Sequence, residues 1–431
     1  MSNDSQQQGE DAPIASLCKE YVQSVEGLAE SLPFIMSVLL KTEDSFDKQL
    51  STFIDTHATD VKQTDEGRLY AISVQDKPEH DKLHRRLRIL REALGVTPRS
   101  FLVSLVSAYD AFLGRLIRQL FYIKPDLLNA STRVLTFSQL QRLKNVEAAR
   151  EYLVEKEVES VLRESHSRQF DWLEKTFSVP LRKGLACWPR FIELTERRNL
   201  FVHADGVVSS QYLTVCDEHS VELADSVGLA SQLYVEPSYF ECSAQCLLEI
   251  GVKLAHVLWR KLEPNAREAA DNNLIDVIYD LLMKRQYCLA ANLAEFGTNT
   301  IKTHASDEIR RILVMNLAIA YKFGGEPEKC SKVLDAEDWS STADRFRVGV
   351  AALRDDFKGA TSFMKAIGKD GWPGPLGYRE WPVFREFRQS DEFAQAYKEI
   401  FGTDFTLRER EPQQSMAGKE NAEQQNSLDE K

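Results

Sequence analysis

The residues best able to do chemistry lie near the middle of the chain, in Pro189–Gly206, PRFIELTERRNLFVHADG. Pro189 suits a first helical turn and Gly206 the left-handed position past a helix end, so about four turns fall between them. At helical spacing Trp188, Ile192, Thr195, Asn199 and Val202 form one stripe, and Phe191, Leu194, Arg198 and Phe201 form its neighbour. Arg198 and Asn199 thus interrupt an apolar face. Each must find a partner, because an unpaired buried polar group costs about 1–3 kcal/mol and a charge more. His203 shares a face with Asn199 and lies in the last turn, where the helix dipole favours the imidazolium form. Arg197 falls off both stripes and is expected to reach water. A guanidinium, an amide and a titratable imidazole gathered at one helix end can bind a phosphodiester, neutralise developing negative charge and move a proton.

An upstream helix expected over Ser100–Tyr122 supplies a possible acid. Val103, Val106, Leu113 and Ile117 make an apolar stripe with Asp110 in its middle. A carboxylate there needs a cation; Arg198 is the favoured partner, with Arg118 or water at a domain edge as the alternatives.

The elements that must position these groups are helical almost throughout. Apolar residues recur mainly at three and four, which predicts an all-α fold with helices over Ile14–Phe53, Lys82–Leu94, Ser100–Tyr122, Phe137–Thr176 with breaks, Pro189–His203 and Tyr239–Leu262. Asp55–Gly67 reads as a polar connection, and alternation over Val227–Tyr239 suggests a small hairpin. From Leu274 the texture changes to paired shorter helices spaced about 31 to 38 residues apart, close to a helix-turn-helix repeat. Trp372, Trp381, Phe384 and Phe387 are expected to anchor the last helices. The implied organisation is a polar tail at 1–13, an N-terminal helical segment at 14–75, a central domain at 76–262, a helical-repeat domain at 263–405 and a second polar tail at 406–431.

Composition narrows the function classes. The chain has 431 residues, 43% of them hydrophobic, and a formal charge of −12. Such a length implies more than one domain. A net acidic charge argues against indiscriminate nucleic-acid binding, but the charge is unevenly spread. Asp76–His203 holds 23 Lys+Arg against 16 Asp+Glu, a net of +7, leaving −19 for the rest. Arg115 and Arg118, then Arg190 and Arg197, fall within this basic segment and are candidate phosphate contacts. No apolar run of about 20 residues and no basic leader is evident, and seven scattered cysteines do not form a disulfide framework, so a reduced, cytoplasmic setting without membrane insertion is expected. His80 and His84 lack the intervening Glu and a third ligand for a zinc site, Cys242 and Cys246 match no zinc spacing, and the glycines of Gly368–Gly377 lack a following Lys-Ser/Thr.

Arg198-Asn199-Leu200-Phe201-Val202-His203 resembles the R-polar-x-x-x-H signature of the HEPN superfamily, helical proteins that include many metal-independent ribonucleases of toxin and antiviral systems. The likeness extends over roughly Asp76–Leu262, and the Ser100–Tyr122 helix resembles the first helix of that bundle. The resemblance implies a homodimer in which two motif helices face each other. Arg198 would stabilise the scissile phosphate, His203 would act in proton transfer, Asn199 would orient the pair, and the RNA 2′-hydroxyl would be the nucleophile, with no metal or other cofactor. Asp205 stands where one subset of the family carries Tyr, which argues against that subset. The C-terminal hairpins resemble a degenerate tetratricopeptide array, which implies a surface for a protein partner. The resemblance therefore implies an endoribonuclease of stress or phage defence; the alternatives are a non-catalytic scaffold recruiting a partner and an RNA or nucleotide sensor that binds without cutting.

Overall fold

The computed structural model describes residues 13–64, 67–130 and 133–406. The expected tails, 1–13 and 406–431, fall almost wholly outside them. The chain is helical apart from one hairpin. In order it forms α1 (Pro13–His57), β1 (Ala58–Thr64), β2 (Gly67–Ile72), α2 (Lys77–Ile123), α3 (Phe137–Arg142), α4 (Val146–Leu162), α5 (His166–Phe177), α6 (Trp188–His203), α7 (Ser210–Glu218) and α8 (Pro237–Leu262). There follow α9 (Arg267–Met283), α10 (Tyr287–Glu295), α11 (Asp307–Phe323), α12 (Pro327–Asp335), α13 (Asp344–Leu353), α14 (Phe357–Ile367), α15 (Pro375–Glu380) and α16 (Asp391–Phe401). The all-α class is as expected.

Two compact units divide the chain. One comprises everything up to Ile278 together with Asn292–Arg310; the other is Tyr279–Ala291 with the chain from Arg311 onward. The core of the first unit gathers the start of α1, the second half of α2, α6 and α8. Tyr21 of α1 stacks on Phe112 of α2, ring centroids 4.1 Å apart, and donates its hydroxyl to the Leu247 carbonyl of α8 at 2.6 Å. This close approach needs a glycine: a Cβ at Gly251 would fall 2.2 Å from the Tyr21 ring.

Four expectations need correction. The helices expected at Lys82–Leu94 and Ser100–Tyr122 are one helix, α2, which continues through Pro98; one missing N–H and a local crowding are tolerated where packing against α1 holds both flanks. The hairpin is β1–β2, inside the segment expected to be a connection, and it crosses with a register shift between Thr59 and Lys62. It packs Tyr70 and Ala58 over Leu50, Ile54, Leu83 and Leu87, a small core of its own at the far end of the α1–α2 pair. Residues 227–239 do not pair with themselves. Their extended part pairs with the turn after α6, through Ala230 N–H to Val208 O and Leu233 N–H to Gly206 O, both 2.9 Å. An 18-residue window of α2 reaches a mean hydropathy of 1.4, long and apolar enough by that measure to cross a membrane, although half of it is buried within the fold.

Along α9–α14 three helix pairs close with the same turn. Arg285, Gly325 and Asp355 each take a left-handed conformation, and the next residue donates back five positions, from Gln286, Glu326 and Asp356 to Leu281, Tyr321 and Ala351. The turns are 40 and 30 residues apart, just wider and just narrower than the 31 to 38 expected. Phe384, Phe387, Phe393 and Tyr378 form the aromatic core near the end of the second unit. Trp372, expected as an anchor, is 57% exposed.

Candidate functional site

Helix α6 is placed so that its chemistry comes out at one end. Its first half, Phe191–Thr195, is buried all round, and its last turn emerges, leaving Val202 and His203 exposed. The helix then stops at Asp205 and Gly206, both left-handed, with φ of 50° and 83°. Asp205 is fastened there by Arg99 of α2, whose Nη1 lies 2.6 Å from its carboxylate and whose guanidinium lies over the Phe201 ring. Gln232 adds a 2.6 Å hydrogen bond to the Asp205 carbonyl. The motif end is thus tied to α2 and to the extended 227–236 segment.

Arg198 and Asp110 meet as expected. Arg198 Nη2 donates to Asp110 Oδ2 at 3.2 Å. The other carboxylate oxygen accepts from His166 Nε2 at 2.9 Å, a partner the sequence reading missed. His166 is buried in the first turn of α5, just after the Ser165 cap, and packs edge-on against Phe191 of α6. One half-buried carboxylate therefore orients a guanidinium and an imidazole from two helices. Arg198 Nε is buried and has no hydrogen-bond partner among the described residues, so the guanidinium retains an unused donor. Asn199 donates to Glu196 at 3.3 Å, within the same helix. His203 is exposed and makes no side-chain hydrogen bond among the described residues.

The expected basic surface separates into different surroundings. Arg197 is mostly covered rather than solvent-facing: its side chain is 13% exposed, its Nε lies 2.6 Å from Glu193, and its guanidinium sits 3.9 Å over the Tyr239 ring. The physical reason is Glu193, a buried acid one turn earlier. It accepts from Arg197, from the Tyr212 hydroxyl and from the Tyr239 hydroxyl, each at 2.6 Å. Burial works against charge on Arg197, but Tyr239 and Glu193 more than compensate and raise its pKa above the ordinary value. This network is saturated, and it removes Arg197 from the set of phosphate contacts. Arg115 is exposed and paired with Glu20 of α1. Arg118 and Arg190 are exposed with no hydrogen-bond partner among the described residues. Arg118 lies eight residues beyond Asp110 on α2, about 12 Å along the axis, whereas Arg190 lines a separate cleft. Elsewhere His80 contacts the Tyr70 hydroxyl at 2.9 Å, which accounts for it without a metal.

Glu193 carried a legible signal, because an acid four residues before an arginine on a helix is an ion-pair spacing. His166 carried only its place after a serine cap, which says nothing of Asp110. No protein family, curated protein or solved structure matches this chain.

Proposed function

We propose that the chain is a HEPN-type endoribonuclease that cuts RNA without a metal, using a site completed by a second copy. The observation that carries the reading is the Asp110 carboxylate shared by Arg198 and His166, with Arg198 five residues ahead of an exposed His203 that makes no side-chain hydrogen bond among the described residues. Asp110 holds the Arg198 guanidinium in place and leaves donors for a phosphate oxygen. His203 is free to move a proton. The 2′-hydroxyl gives its proton to His203 as its oxygen attacks the adjacent phosphorus, the bond from phosphorus to the 5′-oxygen breaks, that oxygen takes a proton from water, and the products are a 2′,3′-cyclic phosphate and a 5′-hydroxyl.

Five residues turn a helix by about 140° and advance it by about 7.5 Å, so Arg198 and His203 of one chain leave α6 in different directions. A second copy related by a two-fold axis supplies the facing pair. The rim supports such an arrangement: Val202 is 49% exposed, Val207 38% and Tyr234 59%, all beside His203 or the turn that follows it. Arg118 extends the phosphate path along α2. The three like-turned hairpins of α9–α14 are read as a degenerate tetratricopeptide array that holds a protein partner.

The test is cleavage of single-stranded RNA in EDTA by the wild type, Arg198→Ala and His203→Ala. Cleavage that survives the chelator and falls by at least about 10³-fold in both variants supports the reading. Undiminished cleavage in either variant overturns it.

A further inference from the structure

A cleft of about 890 Å³ runs along the face of α6 that carries Arg190, Glu193 and Arg197, away from Arg198. A smaller pocket of about 270 Å³ adjoins it, and Val257, Phe296 and Thr300 line both. The two differ in charge. The large cleft is lined by acids and bases in similar number, among them Lys183, Lys253, Glu222 and Glu249. The small pocket gathers Arg260, Arg267 and Lys302 against Glu263 alone, with the hydroxyls of Thr300 and Thr303 beside them.

Arg260 is the least settled of these cations. Its Nη1 forms an ion pair with Asp271 Oδ1 at 2.7 Å but without hydrogen-bond geometry, so Nε, Nη1 and Nη2 are all buried without a hydrogen-bond partner among the described residues. Asp271 is divided among several donors, accepting also from the His304 ring at 3.1 Å and the Ala305 N–H at 2.8 Å. Burial, with Arg267 close by, lowers the pKa of Arg260 against the pull of Asp271. The wall shared by the two pockets is a π-helical turn, Phe296–Thr300, a rare geometry that tends to occur at ligand sites. Lys302 lies two residues beyond it, donating to the Asn299 carbonyl at 2.5 Å, and Arg267 opens the first turn of α9, where the helix end also favours an anion.

We infer that this is a binding site for a small phosphate ester, with the phosphate held by Arg260, Arg267 and Lys302 and the body of the ligand lying over Phe296 into the large cleft. The site is independent of the cleavage proposed above. An anion there gives Arg260 the acceptors that Asp271 cannot supply and relieves its repulsion with Arg267. The mixed charge of the large cleft suits a polar but uncharged body.

Binding to the full chain is measured by calorimetry with three probes: inorganic phosphate, adenosine 5′-monophosphate and adenosine. Phosphate and the monophosphate are expected to bind and to raise the thermal midpoint, and adenosine to do neither. The doubly substituted Arg267→Ala/Lys302→Ala chain, altered at half-buried and exposed positions, should keep its own thermal midpoint and lose at least tenfold in affinity for both phosphate probes. Failure of both phosphate probes to bind, adenosine binding as tightly as the monophosphate, or unchanged affinity in the folded double variant overturns the proposal.

Discussion

Asp110 sits between the Arg198 guanidinium and the His166 ring, and that single carboxylate decides where Arg198 points. Asp110→Asn keeps the size of the side chain but removes the charge that orients the guanidinium. RNA cleavage should fall about 10²-fold in this variant with its circular dichroism unchanged, since small misplacement of a positioned group has costs of that order. Glu193 has the opposite character, being saturated, buried and remote from the motif face. Glu193→Ala leaves Arg197 buried without its carboxylate, and equilibrium denaturation should show a loss of about 3–5 kcal/mol. At this scale the sequence was legible where a polar residue broke an apolar stripe, as Asp110 and Arg198 do. It was misleading at Arg197, because a helical wheel records which face a residue occupies and not that α8 supplies Tyr239 to cover it.

Helices α1, α6 and α8 follow the apolar periodicity to within a few residues, because each buries a long stripe and their ends carry proline or left-handed residues. What periodicity cannot register is tertiary support: the helix-breaking tendency of Pro98 is overridden by α1, and the alternating 227–236 segment finds its partner in residues 206–208. Two tests belong to these packed elements. Gly251→Ala drives a methyl into the Tyr21 ring at the α1–α8 crossing and should destabilise by about 1–3 kcal/mol in denaturant titration, with cleavage per folded molecule retained. His256 of α8 is wholly buried, and burial, aided by Arg260, pushes its pKa down from 6.5 to about 3. The unfolded chain therefore binds a proton that the native state refuses between about pH 6.5 and 3, so stability is intact above that window and declines as pH falls through it. The loss from this residue should reach about 1.4 kcal/mol at pH 5.5, read as the stability difference from pH 8 that disappears in His256→Gln.

Over the whole molecule, the formal charge of −12 conceals a basic segment in which many of the cations are already held by acids: Arg91 by Glu43 and Asp47, Arg99 by Asp205, Arg182 by Asp171 and Glu174. What remains free near the motif is narrow, consisting of His203, Arg118 and an apolar rim. A second copy covering that rim predicts that Val202→Asp with Tyr234→Asp shifts sedimentation from dimer to monomer and abolishes cleavage while the thermal midpoint holds, because both side chains are exposed. The most direct measurement is the product chemistry of a short RNA cut in EDTA, set beside the same strand carrying a single 2′-deoxy residue at the cleaved position. The account predicts a 2′,3′-cyclic phosphate from the first and no cut at that position in the second; a 3′-hydroxyl product, or equal cleavage of the 2′-deoxy strand, would contradict it.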